Sequence, residues 1–197
     1  MAAIPDKKDK SPAWISILAT LGTTVLAISS LITVYVTITA WREEREAARP
    51  YLTVKESPRV DMGEGVSFEI KFTNSGVHPA SNLSSKSLVF AQDLAHDPVH
   101  HEEFDLANEI PNNNVSSLVI NLDPQDQANA PTTPVYIVVD LQYSDPILSK
   151  DFNQTIYLKW NGISKGQPQP VAHVQVMERD KILQYFKNKH IDPRARS

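Results

Sequence analysis

The sequence contains no cysteine, which excludes disulfides, thiolate metal sites and cysteine nucleophiles together. Glycine is scarce, with six in 197 residues, and no glycine-rich phosphate-binding loop can be assembled from them. Neither a Gly-x-Ser-x-Gly elbow nor a His-Glu-x-x-His pair occurs, so two common hydrolase signatures are missing. Charge is also missing where it matters most. From Ala13 to Trp41 there is no Asp, Glu, Lys or Arg.

That run, AWISILATLGTTVLAISSLITVYVTITAW, exceeds the roughly 20 apolar residues needed to cross a bilayer as a helix. Trp14 and Trp41 bracket it at the positions of interfacial aromatic anchors. The alternative is a cleaved signal peptide with a small-x-small site at Ala27-Ile28-Ser29, but the apolar stretch continues well past it. Residues 1–12 are then a polar tail, 13–41 a transmembrane helix, and 42–50 a short helical stalk that Pro50 ends. Three lysines precede the span and three arginines follow it, so basic residues barely favour either orientation. Analogy with surface β-sandwiches places the amino terminus in the cytoplasm and the folded domain outside. Within the span, Ser16, Thr20, Thr23, Ala27, Ser30, Val34 and Thr37 step by four and three along one face. Such a stripe lets membrane helices approach and bond across the contact, which points to self-association or a helical partner. The competing reading is that each hydroxyl bonds back to its own helix.

Charge is partitioned along the chain. Residues 1–50 carry a net charge of +1, residues 51–170 carry −8 and residues 171–197 carry +3. An acidic body argues against nucleic acid as a partner.

From Tyr51 the periodicity changes to two. VSFEIKF sets Val66, Phe68, Ile70 and Phe72 on one side and Ser67, Glu69 and Lys71 on the other, the pattern of a strand with one buried face. YLTVKES, SKSLVFA, SSLVINL, VYIVVDLQY and DFNQTIYLKW give five more strands, and a seventh fits between Ala91 and Ile110. VYIVVDLQY is apolar on both faces and suits the centre of a sheet. Clusters rich in Gly, Pro, Asn and Asp separate these runs, as antiparallel sandwiches require. Residues 51–165 are therefore predicted to form a β-sandwich. Residues 166–197 follow as a Pro-containing linker, a helix with an apolar face of Met177, Ile182, Leu183 and Phe186, and a basic tail. That helix is expected to pack on the sandwich, with an anionic lipid surface as the alternative.

Two polar stretches are candidates for chemistry. DLAHDPVHHEEFD, residues 93–105, gathers His96, His100 and His101 with Asp97 and further carboxylates, the ligand types that zinc, nickel or copper accept without thiolates. Pro98 interrupts the four-residue spacing of His96 and His100. A solvated acidic loop is the simpler reading. FTNSGVHPASN, residues 72–82, follows the sharpest strand and reads as a turn. Gly76 supplies positive φ, Pro79 fixes a backbone angle, Asn74 and Asn82 bond local backbone, and His78 faces solvent.

The motif Asn74-Ser75-Gly76-Val77-His78-Pro79-Ala80, with Arg49-Pro50-Tyr51 leading into the first strand and Tyr143-Ser144-Asp145 ahead of Phe152 and Thr155, resembles a family pattern. Its Asn-x-Gly-x-x-Pro-Ala turn is similar to that of CARDB-like, immunoglobulin-like sandwiches in a loose set of uncharacterised bacterial single-pass membrane proteins. The likeness covers about residues 49–160 and implies a fold signature at Asn74, Gly76, Pro79 and Ala80, without catalytic residues.

The sequence thus predicts a mainly β protein: an antiparallel immunoglobulin-like β-sandwich preceded by one transmembrane helix and followed by a short carboxy-terminal helix. The predicted role is non-enzymatic and needs no cofactor. It is protein binding, scaffolding or an accessory part in a membrane complex, and the alternative is a metal- or small-ligand sensor using residues 93–105.

Overall fold

The structure is a computed structural model that describes residues 13–63, 65–122 and 133–193. Helix α1, Ala13–Ala47, forms one unit, and the chain from Ala48 onward forms a second. α1 has no proline or charge before Arg42, so nothing interrupts it until Pro50 approaches, and it runs through the stretch expected to be a stalk. Near its end, the Arg45 guanidinium lies 4.9 Å from the Trp41 ring centroid.

The second unit is antiparallel throughout. Its strands are β1 Leu52–Val54, β2 Arg59–Asp61, β3 Val66–Asn74, β4 Ala80–Ala91, β5 His100–Ile110, β6 Val115–Leu122, β7 Val135–Asp145 and β8 Lys150–Trp160. Three short strands follow, β9 Ile163–Ser164, β10 Gln167–Pro168 and β11 Val171–His173, and then helix α2, Val176–Lys189. β3 is flanked by β6 along one edge and by β1 and β2 in turn along the other. The second sheet has the order β11-β8-β7-β4-β5.

β1 and β2 read as one edge strand broken in the middle. Val54 faces Phe72 and Arg59 faces Glu69, so four residues, Lys55 to Pro58, span two on the partner. Pro58 cannot donate to the ladder, and a bulge is the usual outcome at a sheet edge. Ser57 in that bulge donates its hydroxyl to Val171 O at 3.2 Å.

Alternation decides the core. Val66, Phe68, Ile70 and Phe72 of β3 meet alternate residues of β7 and β8, with Trp160 set edge-on to Phe68 at 5.4 Å between ring centroids. The strand expected to be central, β7, is central, and both of its faces are buried. Its second face carries Tyr136 and Val138 which, with Leu88 and Phe90 of β4, pack against Ile182, Tyr185 and Phe186 of α2. The carboxy-terminal helix therefore covers the sheet as a third layer.

The face of α2 is rolled relative to the sequence reading. Ile182 and Phe186 are buried, but Tyr185 completes the stripe while Met177 and Leu183 are 76% and 44% exposed. The i, i+3, i+4 spacing of 182, 185 and 186 defines a single face that position 183 does not share. The Tyr185 hydroxyl also needs an acceptor inside the contact, and it donates to His96 O at 2.6 Å.

The segment from Gly166 is likewise not a free spacer. β10 pairs with β9, β11 pairs with β8, and Gln169 O accepts the Trp160 indole N–H at 2.7 Å. A fully buried Trp160 requires that acceptor, which pulls the Pro-containing stretch back onto the sandwich.

Candidate functional site

Polar groups converge where the chain enters β1. Asn74, at the end of β3, is fully buried and uses its whole amide. Its Nδ2 donates to His78 O at 2.8 Å and Ile110 O at 3.0 Å. Its Oδ1 accepts from Tyr51 N at 3.2 Å and Gly76 N at 3.0 Å. One side chain thus ties the turn after β3 to the end of β5 and the start of β1.

The turn reaches further back along the chain. Val77 N and His78 N both donate to Ala48 O, at 3.1 and 2.8 Å, and Ser75 N donates to Tyr51 O at 2.8 Å. Gly76 does not have the positive φ that the sequence suggested. Glycine is required there for a different reason. A Cβ would overlap Arg49 O and stand 2.6 Å from Pro50 Cα and 2.8 Å from Tyr51 N. The turn wraps residues 48–51 at backbone-to-backbone distance, which only glycine permits.

His78 is the second correction. It is buried rather than solvent-facing, and its Nδ1 lies 2.7 Å from Asp145 Oδ2. The ring points inward, to the end of β7. Asp145 has no exposed surface, and its Oδ1 accepts from Ile147 N at 2.8 Å and Leu148 N at 3.1 Å. Burial pushes the Asp145 carboxyl upward, but the His78 bond and the two amides outweigh it and hold the group below the usual carboxylate range. Tyr143 OH donates to Pro50 O at 3.4 Å, and Arg49 lies over the Phe152 ring, which stacks on Tyr143. The arrangement is a clamp on residues 48–51, and its buried side-chain donors and acceptors bond to the protein itself.

The histidine-rich stretch is not a cluster. His96 is exposed between β4 and β5. Asp97 pairs with Lys189 of α2 at 2.9 Å, and that bond lowers its pKa. His100 and His101 are successive strand residues and so face opposite sides of the sheet. His100 is buried, with Nε2 at 3.5 Å from Ser87 Oγ and 3.4 Å from Glu102 Oε2. His101 is half-exposed, 3.8 Å from Glu103. Among the described residues no group of three or more His, Asp or Glu could hold a metal ion. The Ser87, His100 and Glu102 trio is not a nucleophilic relay, because hydroxyl and carboxylate meet the same ring nitrogen.

Along α1 the hydroxyls donate to carbonyls one turn back: Thr20 to Ser16 O, Thr23 to Ala19 O, Ser30 to Leu26 O and Thr37 to Thr33 O, all at 2.8–3.0 Å. These donors are satisfied within the helix, as the competing reading of the stripe expects, and Ala27 lies on the same face. Trp14 and Trp41 are exposed on α1.

Sequence reasoning missed Asp145 as the partner of His78. Asp145 entered the sequence reading only as part of the Tyr143-Ser144-Asp145 resemblance, and no local pattern pairs it with His78, 67 positions earlier. A family model described as a domain of unknown function, DUF8453, matches residues 14–164. The chain belongs to this family. The DUF8453 match takes in the apolar helix, the clamp and all eight long and short strands through β8, and ends before β10, β11 and α2. A search of curated proteins found no match to the chain.

Proposed function

We propose that the protein is a membrane-anchored, non-catalytic β-sandwich that binds or scaffolds other proteins, with α1 as a single-pass anchor and the domain outside the cytoplasm. The fold is taken as immunoglobulin-like and of the CARDB-like kind seen in bacterial membrane proteins. One helix of suitable length and composition near the amino terminus supports the anchor.

The observation that carries the binding role is β5. It is an 11-residue edge strand whose ladder, among the described residues, runs only to β4. Its outer positions include exposed Glu102, Glu103, Asp105 and Glu109. An unpaired edge presents backbone donors and acceptors to an added strand. Acidic side chains along it repel a second copy of the same edge and favour a basic extended segment of another protein. The outer face of β4 and β7 is closed by α2, and β5 is the longest of the edge strands.

Affinity purification of the full chain in mild detergent tests the role. A partner retained by the native chain should be lost from the Glu102→Lys/Glu103→Lys variant while the fold survives. Retention undiminished by that charge reversal removes β5 as the binding edge.

A further inference from the structure

The clamp gathers three loops around Ala48: residues 75–79, 111–114 and 146–149. Ala48 O holds Val77 N and His78 N, Asn112 donates to Gly76 O, and His78 binds Asp145 at the head of the third loop. None of the three loops contains Asp, Glu, Lys or Arg. Two of them end in bare apolar side chains, Val77 at 70% and Ile147 at 45% exposed. At the opposite end of the sandwich the loops carry Asp93, Asp97 and Lys165. Uncharged loops with two exposed aliphatic tips suit the headgroup region of a bilayer better than the charged loops of the other end do.

Covalent distance says what lies nearby. This step rests on the proposed anchoring of α1. If Trp41 marks the edge of the hydrocarbon, the helix rises about 9 Å from there to Ala47. The headgroup layer outside the hydrocarbon is roughly 5–8 Å deep. Ala48 therefore leaves the span at the outer boundary of the headgroups, and the three loops are bonded to it or to one another.

We infer that the uncharged loop end bearing Val77 and Ile147 rests on the bilayer surface, with both aliphatic tips inserted among the lipid headgroups. Val77 and Ile147 then act as two shallow anchors beside the covalent one. Arg49 and Lys150 flank the tips and suit lipid phosphates.

The absence of native cysteine allows single labels to be placed without background. Val77→Cys, Ile147→Cys, Ser164→Cys and Leu26→Cys, each in the full chain, would carry an environment-sensitive fluorophore in phosphatidylcholine–phosphatidylglycerol nanodiscs. Lipids bearing a nitroxide at the headgroup or mid-chain serve as quenchers. The labels at 77 and 147 should emit at shorter wavelength than the label at 164, and lose intensity to headgroup nitroxide while 164 does not. The label at 26 should lose intensity to mid-chain nitroxide. Labels at 77 and 147 that match 164, with 26 quenched, overturn the lipid contact and leave the anchor standing. A label at 26 that mid-chain nitroxide does not quench overturns the anchor, and this inference with it. All four sites are exposed, so the substitutions leave the core untouched.

Discussion

A Cβ at position 76 would collide with the backbone of Arg49, Pro50 and Tyr51, none of which can swing aside as a side chain can. Gly76→Val should therefore destabilise the sandwich by about 3 kcal/mol or more, visible as a lowered melting temperature in near-ultraviolet circular dichroism. Gly63→Ala, where nothing lies within 4 Å of the added carbon, should leave the melt nearly unchanged. Asp145→Ala removes the acceptor of two amides and the partner of a buried histidine. Its expected cost is about 3–5 kcal/mol, the range for breaking a buried pair. The pH dependence has a definite sign. Because the folded carboxyl titrates below its ordinary value, it stabilises the native state above the ordinary carboxylate range and loses that contribution as pH falls through the lower folded value. The difference in melting temperature between native chain and Asp145→Ala should thus be full at neutral pH and shrink in acid. A difference that stays constant down to pH ~3 would contradict the lowered carboxyl, given an ordinary Asp value of about 3.9.

At the scale of elements, α2 is the piece whose role depends on which face it turns inward. Phe186 packs edge-on to Phe90 at 5.6 Å between ring centroids, inside the cluster that closes the outer side of β4 and β7. Phe186→Ala should cost about 3–5 kcal/mol as a large-to-small change in a core. Leu183→Ala, on the exposed side, should stay within about 0.5 kcal/mol. Equal melts for the two variants would mean that α2 does not pack as described. The cap of α2 is also tied down. Lys159 of β8 donates to both Glu178 oxygens, at 2.7 and 3.0 Å, and Gln175 N donates to the same carboxylate at 2.7 Å. The Lys159 bond and then the Gln175 amide lower the Glu178 pKa. Much of the strand set was legible beforehand because period-two patterning is local. The alternation of β3 and the two-sided apolarity of β7 are visible in nine to eleven consecutive residues. β2 was not, since three residues beside Pro58 carry no period of their own. The face of α2 was half legible: two of its three buried residues were named, and Tyr185 was passed over because its hydroxyl finds a partner only in the folded loop at His96.

For the whole molecule, the distribution of charge matters more than the net value of −4. Acidic side chains are displayed along β5, whereas the three loops around Ala48 carry no charged side chain. A partner held by the acidic edge should be released as salt rises toward and beyond physiological strength, where the screening length falls below about 8 Å. Release should be read as loss of co-purification from the detergent-solubilised chain across a sodium chloride series. Binding that is indifferent to salt would argue for an apolar contact instead. The sequence by itself determined the apolar helix, the β character of the body and the turns between strands, because each is written in neighbouring residues. Tertiary structure alone decided what those turns are for. Gly76 is a point of backbone contact rather than of unusual φ, His78 is a buried partner of Asp145, and the histidines at 96, 100 and 101 are separated by strand geometry. Those outcomes depend on residues dozens of positions apart meeting in space, and no local pattern encodes which of them will meet.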